Sequence, residues 1–146
     1  MAGRQERPDP RPDAPPELQS VPASAAAPFL PRQVPIDGYG ERFFHFSGMS
    51  YAGSILALPS GVRPWPVGSF RDLDGAALAP VIAEARAFEL LFLGTGRDPA
   101  HLKEDLKALL RAAGLRFELM PTPAAASTYN VLLAEGRPVG AALVAL

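Results

Sequence analysis

From Phe88 onward the apolar positions switch between two rhythms. Phe88 to Leu93 is an unbroken apolar run of the length expected for a central strand. Leu102, Leu106, Leu109, Leu110 and Ala113 then recur at helical spacing, with Lys103, Glu104, Lys107 and Arg111 turned the other way. Asp98 and Pro99 supply an N-cap and a first helical residue for that helix, and Gly114 supplies its stop. Leu115 to Leu119 reads as a strand, Thr122 to Glu135 as a helix, and Pro138 to Leu146 as a last strand. That last strand is apolar to its end and does not alternate, so it is expected to be buried on both faces. Its Gly140, Ala141 and Ala142 are small enough to let the preceding helix approach closely.

The first half has shorter periods. Ile36-Asp-Gly-Tyr-Gly40 reads as a short strand with a glycine-marked turn, and Phe43-Phe-His-Phe46 as an aromatic strand. Ser47 to Ser50 is a turn, and Tyr51 to Leu58 is the returning strand of a hairpin. Pro59-Ser-Gly61 breaks it, and Val62 to Pro66 is extended because residues before proline avoid helix. Leu73 to Arg86 is read as a helix. Strand, helix, strand, helix, strand in the second half implies parallel pairs with helical cover. The fold class expected is therefore α/β: one three-layer domain over residues 34–146, with a mixed central sheet, helical cover and an N-terminal antiparallel hairpin layer. Residues 1 to about 30 are rich in Pro, Ala, Arg and Asp and nearly devoid of large apolar side chains. Such a segment cannot offset its ordering entropy, so a disordered tail is expected, or alternatively a docking arm. A chain beginning near Pro31 should then melt like the full chain.

The Thr122–Glu135 helix poses the functional question. Thr122 can cap it, Pro123 fits its first turn, and Gly136 ends it. Ala125, Tyr129, Leu132 and Leu133 form one apolar stripe, with Ala124, Val131 and Ala134 elsewhere around it. A helix apolar nearly all round is expected to be buried. Yet Ser127, Thr128, Tyr129 and Asn130 place four hydrogen-bonding side chains in a row on it. Buried polar groups need partners in protein, water or ligand. Successive side chains project about 100° apart, so they cannot all face one ligand. A network fixing helix to sheet and a binding pocket both remain open. The candidate pocket comprises Gly94, Thr95, Gly96, Thr122, Thr128, Tyr129, Asn130 and Arg137. Trp65, between Pro64 and Pro66, is either a core lid or an exposed interface anchor.

Composition narrows the chemistry. Fourteen Lys and Arg against fifteen Asp and Glu leave a formal net charge of −1 in 146 residues, which argues against a nucleic-acid or membrane-surface footprint. The absence of cysteine excludes disulfides, thiolate catalysis and cysteine-type zinc sites. No apolar run suggests a membrane span, and the N-terminal segment resembles neither a secretory signal nor a transit peptide, so a cytoplasmic location is expected. Gly94-Thr-Gly96 between strand and helix could bind an anion through backbone N–H groups. It lacks the third glycine of a dinucleotide motif and the Gly-Lys-Ser/Thr of a P-loop, and Asp98 would oppose a phosphate. A tight structural turn, or a site for a neutral ligand, are the other readings. His45 is expected on the wetter face of its strand, and His101 exposed in the first turn of its helix, neither with a metal-like partner. No Ser-His-Asp arrangement or paired carboxylates can be argued from the sequence.

Several segments in one order carry a family resemblance: Pro35-Ile-Asp-Gly-Tyr-Gly40, Gly53-Ser54, Pro59-Ser-Gly-Val-Arg-Pro-Trp65, Leu93-Gly-Thr-Gly96, Met120-x-Thr122, Thr128-Tyr-Asn130 and Glu135-Gly-Arg137-x-Val139-x-Ala-Ala-Leu143. Together they resemble the family of mitochondrial complex I assembly factor 3 and its bacterial and archaeal relatives. The resemblance runs from about Val34 to the C-terminus. It implies a three-layer α/β fold and, for the mitochondrial members, a non-catalytic role in assembling respiratory NADH dehydrogenase alongside another assembly factor. Ser127 stands where relatives often place a basic residue, and Glu41 and Arg42 where they often have glycines. The proline-rich tail fits a bacterial member better than a mitochondrial one. The function expected is a non-catalytic assembly or interaction factor with protein partners, without cofactor, metal, nucleic-acid binding or membrane insertion. The alternative is a small-molecule-binding protein or enzyme with its pocket between Gly94–Gly96 and Thr128–Asn130.

Overall fold

The computed structural model describes residues 29–146. Its centre is a five-stranded sheet built from β4 (Ile55–Leu58), β5 (Gly61–Pro64), β6 (Leu90–Gly94), β7 (Arg116–Met120) and β8 (Val139–Leu143). The strand order is β5-β4-β8-β6-β7. β8 lies in the middle, antiparallel to β4 and parallel to β6, and β6 is parallel to β7. All five residues of β8 are buried, as its lack of alternation requires.

Alternate residues of these strands feed two cores. On one face Leu56, Leu58, Leu91, Leu93 and Ala142 pack under α1 (Gly75–Ala83) and α2 (Glu104–Ala112), through Leu78, Val81, Leu106 and Leu110. On the other, Ile55, Ala57, Phe92, Ala141 and Leu143 pack under α3 (Thr122–Ala134), through Ala125, Ala126 and Tyr129. The same side carries a three-stranded antiparallel sheet, β1 (Gly38–Gly40), β2 (Phe43–Phe46) and β3 (Met49–Ala52), whose Phe44 and Phe46 complete that core. The mixed α/β architecture with an antiparallel hairpin layer is the one expected.

Several local expectations give way to tertiary contacts. Tyr51 to Leu58 is two strands in two sheets, because Ser54 anchors the corner between them. Its hydroxyl donates to Val67 O at 2.7 Å and accepts from Ala145 N at 2.9 Å. Asp98 and Pro99 do not open α2. Thr95 Oγ1 donates to Asp98 O at 2.6 Å, which holds that segment as a turn. Leu102 plugs the core, and the helix starts at Glu104 with Glu104 and Asp105 at the favourable end of its dipole. His101 therefore lies outside the helix, exposed. The helix expected over Leu73–Arg86 is realised as α1, capped by Asp74, whose side chain accepts from Ala77 N. Gly140 faces Phe88 and Leu58, so of the three small residues in β8 it is Ala141 that shares the α3 core.

α3 is not buried all round. Ala124, Ser127, Val131 and Ala134 form an outward face, with Val131 57% exposed. An alanine-rich surface reads as core by composition alone, whereas only one face of this helix has a sheet to pack on. Ordered contacts also begin before Val34. Leu30 forms an isolated antiparallel bridge with Val62, and the Phe29 ring packs tilted against Tyr51 at 4.6 Å between centroids. The expected tail over residues 1 to about 30 otherwise lies outside the described residues.

Candidate functional site

The Gly94–Gly96 turn and the start of α3 are in direct contact. Thr122 does not cap the helix. Pro121 holds the N-cap position, and the Thr122 hydroxyl is turned toward the turn instead. It accepts from Gly96 N at 2.9 Å and donates to Val144 O at 2.7 Å, while Thr122 N donates to Gly96 O at 2.8 Å. Thr95 N donates to Met120 O at 3.0 Å, and Val144 N to Gly94 O at 3.0 Å. A Cβ on Gly94 would sit 2.7 Å from Thr122 Oγ1 and 2.9 Å from Leu143 Cδ2. Glycine is required there so that α3 and β8 can close on the turn. The N–H groups of Thr95 and Gly96 that could have cradled an anion are bonded to the protein itself.

The polar run on α3 separates by angle. Thr128 Oγ1 turns back along its own helix and donates to Ala124 O at 2.8 Å. Tyr129 is fully buried, and its hydroxyl donates to Val34 O at 2.7 Å. Burial pushes the Tyr129 phenol well above its ordinary pKa, opposed by the nearby Gln33 side chain. Asn130 treats Ile36 as a strand would: Oδ1 accepts from Ile36 N at 2.8 Å, and Nδ2 donates to Ile36 O at 2.7 Å. Gln33 adds a bond from Nε2 to Val139 O at 2.8 Å. Tyr129 and Asn130 thus clamp the incoming segment at Val34 and Ile36 onto α3, and Gln33 ties it to β8. Arg137 lies exposed beyond the C-cap, and only its main-chain N–H reaches back, to Leu132 O at 3.0 Å.

Trp65 is a core residue, 2% exposed, with its indole N–H donating to Ala77 O at 2.9 Å. Of the two readings of this side chain, buried lid and exposed anchor, the structure has the first. The ring edge contributes to a cleft of about 590 Å³ shared with Arg42, Tyr51, Gly53, Ser54 and Leu146, among others. Burial raises the Tyr51 pKa there. His45 is half-buried and its Nδ1 meets the Ser50 hydroxyl. Among the described residues no three His, Cys, Asp or Glu side chains converge as metal ligands, and no helix is long and apolar enough to cross a membrane.

Gln33 and the main chain of Val34 and Ile36 were invisible as partners in the sequence. The one available signal was Asn130 itself, an amide on an otherwise apolar helix that had to find both a donor and an acceptor. A network of Glu84 was equally hidden. Its carboxylate accepts from Ser60 N at 2.9 Å and lies 3.3 Å from Arg63 Nη2.

The architecture is a three-layer α/β fold in which the polar run of one helix serves the fold's own closure. It is shared with the crystal structure of an outer membrane protein from Bartonella henselae, 38% identical, with a TM-score of 0.77, covering 80% of this chain and 98% of that one. The chain belongs to the protein family of unknown function DUF498/DUF598, whose model matches residues 36–144. An uncharacterized protein of Rhodobacter capsulatus is 44% identical over 111 residues, 76% of this chain and 84% of its own length. The NADH dehydrogenase (ubiquinone) 1 alpha subcomplex assembly factor 3 of Rattus norvegicus is 33% identical over 115 residues, 79% of this chain. The match spans 62% of the rat protein's length.

Proposed function

We propose that the protein is a non-catalytic assembly or interaction factor, working through protein partners in the biogenesis of respiratory NADH dehydrogenase. The observation that carries this reading is the use made of the Thr122 and Thr128–Asn130 side chains. Each bonds to main chain of the protein, which supports a scaffold rather than a reaction centre. The similarity to relatives named as assembly factors supplies the process. We place the protein in the cytoplasm of a bacterium, with partners among the subunits or other assembly factors of that enzyme.

The test is a pull-down of the tagged full chain from its native cells, paired with deletion of its gene. Co-purification of NADH dehydrogenase subunits, and loss of the assembled enzyme on native gels in the deletion strain, are expected. Normal enzyme levels without the protein would overturn the reading. Cell fractionation tests the location, and recovery in an envelope fraction would refute the cytoplasmic assignment. A small-molecule role is favoured by one feature, the cleft beside Trp65. Trp65 is the chain's single tryptophan, so a ligand entering the cleft would change its fluorescence directly.

A further inference from the structure

The two edges of the five-stranded sheet are treated differently. At β5, Leu30 N donates to Val62 O at 3.1 Å and Val62 N to Leu30 O at 3.0 Å, so the outermost ladder groups at that position are taken. At the other end, among the described residues β7 pairs with β6 alone. Arg116 N donates to Glu89 O and Met120 O accepts from Thr95 N, so Arg116, Glu118 and Met120 turn their main-chain groups toward β6. In a strand the intervening residues point the opposite way. Phe117 and Leu119 therefore present N–H and C=O outward, with no partner among the described residues. Such an edge is a template for another strand.

We propose that this edge pairs with the same edge of a second copy, as an antiparallel ladder with its two-fold axis at Phe117. The side chains choose both the partner and the register. With the axis at Phe117, the two Phe117 residues exchange both main-chain bonds, because both point outward. Arg116 then stands opposite Glu118 of the second copy, and Glu118 opposite Arg116. These are non-hydrogen-bonded pairs, where side chains approach most closely. Both residues are exposed and lie on the same face of β7. Glu118 has no hydrogen-bond or ion-pair partner among the described residues. Arg116 has only a 3.7 Å contact with Glu89, with both side chains more than 60% exposed, which holds it weakly.

Neighbouring registers are worse. An axis at Glu118 lets Phe117 bond with Leu119 of the second copy, but it sets Glu118 against its own copy in a non-hydrogen-bonded pair, where like charges approach most closely. An axis at Leu119 opposes Glu118 to Met120 and leaves both charges unpaired. A row of like charges would have barred self-pairing, and the opposite signs at Arg116 and Glu118 do the reverse. Arg111, 5.5 Å over the Phe117 ring, shields that side chain without occupying the main-chain edge. The pairing adds one short ladder between two five-residue strands and little else, so the dimer is weak. The inference stands apart from the assembly role and survives its failure.

Sedimentation velocity of the full chain from about 10 µM to about 1 mM covers the range in which such small interfaces associate. A monomer–dimer equilibrium is expected for the wild type. Arg116→Glu and Glu118→Arg should each weaken it at least about tenfold, since each turns two attractive cross-strand pairs into repulsive ones. The double variant R116E/E118R should restore it. Thermal melts of the single variants under dilute, monomeric conditions should stay near wild type, which separates loss of pairing from loss of fold. A monomer throughout, a dimer indifferent to both charges, or a double variant that fails to recover would each overturn the proposal. Retention of a foreign protein by a monomeric wild type, lost in R116E, would overturn it in favour of a partner's strand at the same edge.

Discussion

Among the described residues, one edge of the central sheet is closed by the protein's own chain and the other is left open. The closure at β5 is expensive to build. It needs Leu30 to reach Val62, and Gly61 to lack a Cβ that would otherwise sit 1.9 Å from Leu30 O. It also needs the following segment to be held in place by Gln33, Tyr129 and Asn130. These residues come from opposite ends of the sequence and meet because α3 lies beside that segment. Among the described residues β7 has no such guard, and two alternating charges mark its exposed face. The comparison teaches that the polar run on α3 has a structural task at a distance: it secures the strap that protects the far edge.

The heaviest blow to the closed edge should be Tyr129→Ala. It empties a fully buried aromatic site and strands the Val34 carbonyl, for a loss of about 3–5 kcal/mol in denaturant unfolding. A change under about 1 kcal/mol would show that the segment is held without it. The same residue makes the closure pH-dependent. Its phenol pKa is raised by burial, so the folded state retains the proton that the unfolded chain loses above its ordinary value of 10.0. The stability it contributes is complete below pH 10 and declines as pH rises beyond it. Melts from pH 8 to 11 should show the decline in the wild type and less of it in Tyr129→Phe.

Asn130→Ala leaves the Ile36 N–H and C=O without partners and should cost about 2–3 kcal/mol. Hydrogen exchange at Ile36 would accelerate with it, and unchanged protection there would refute the clamp. Beginning the chain at Pro31 removes the Leu30 bridge and the Phe29–Tyr51 contact. Composition alone led to an unchanged melt, whereas the structure leads to a loss of about 1–2 kcal/mol and faster exchange at Val62. Melting curves of the two chains decide between these. On the open edge, Arg116→Ala should move monomer stability by no more than about 0.5 kcal/mol, because its ion pair is long and exposed. A larger effect would mean that β7 is braced after all.

By itself the sequence determined the parts whose information is local. β8 was legible as a doubly buried strand because it never alternates, and β6 because its apolar run has strand length. α3 ends where expected: Gly136 takes φ 77° and passes its N–H to Leu133 O. Asn130 was legible as a group in need of partners, though not which partners. Only the tertiary structure decided the rest. Whether Asp98 caps a helix depended on Thr95 claiming its carbonyl, and whether Thr122 caps one depended on Gly96 and Val144 lying within reach. Tyr51–Leu58 divided between two sheets because Ser54 found Val67 and Ala145. Which face of α3 meets solvent, and which edge of the sheet stays open, follow from the order β5-β4-β8-β6-β7. Strand order is set by which buried surfaces fit together across the whole chain, and no local period or cap encodes it.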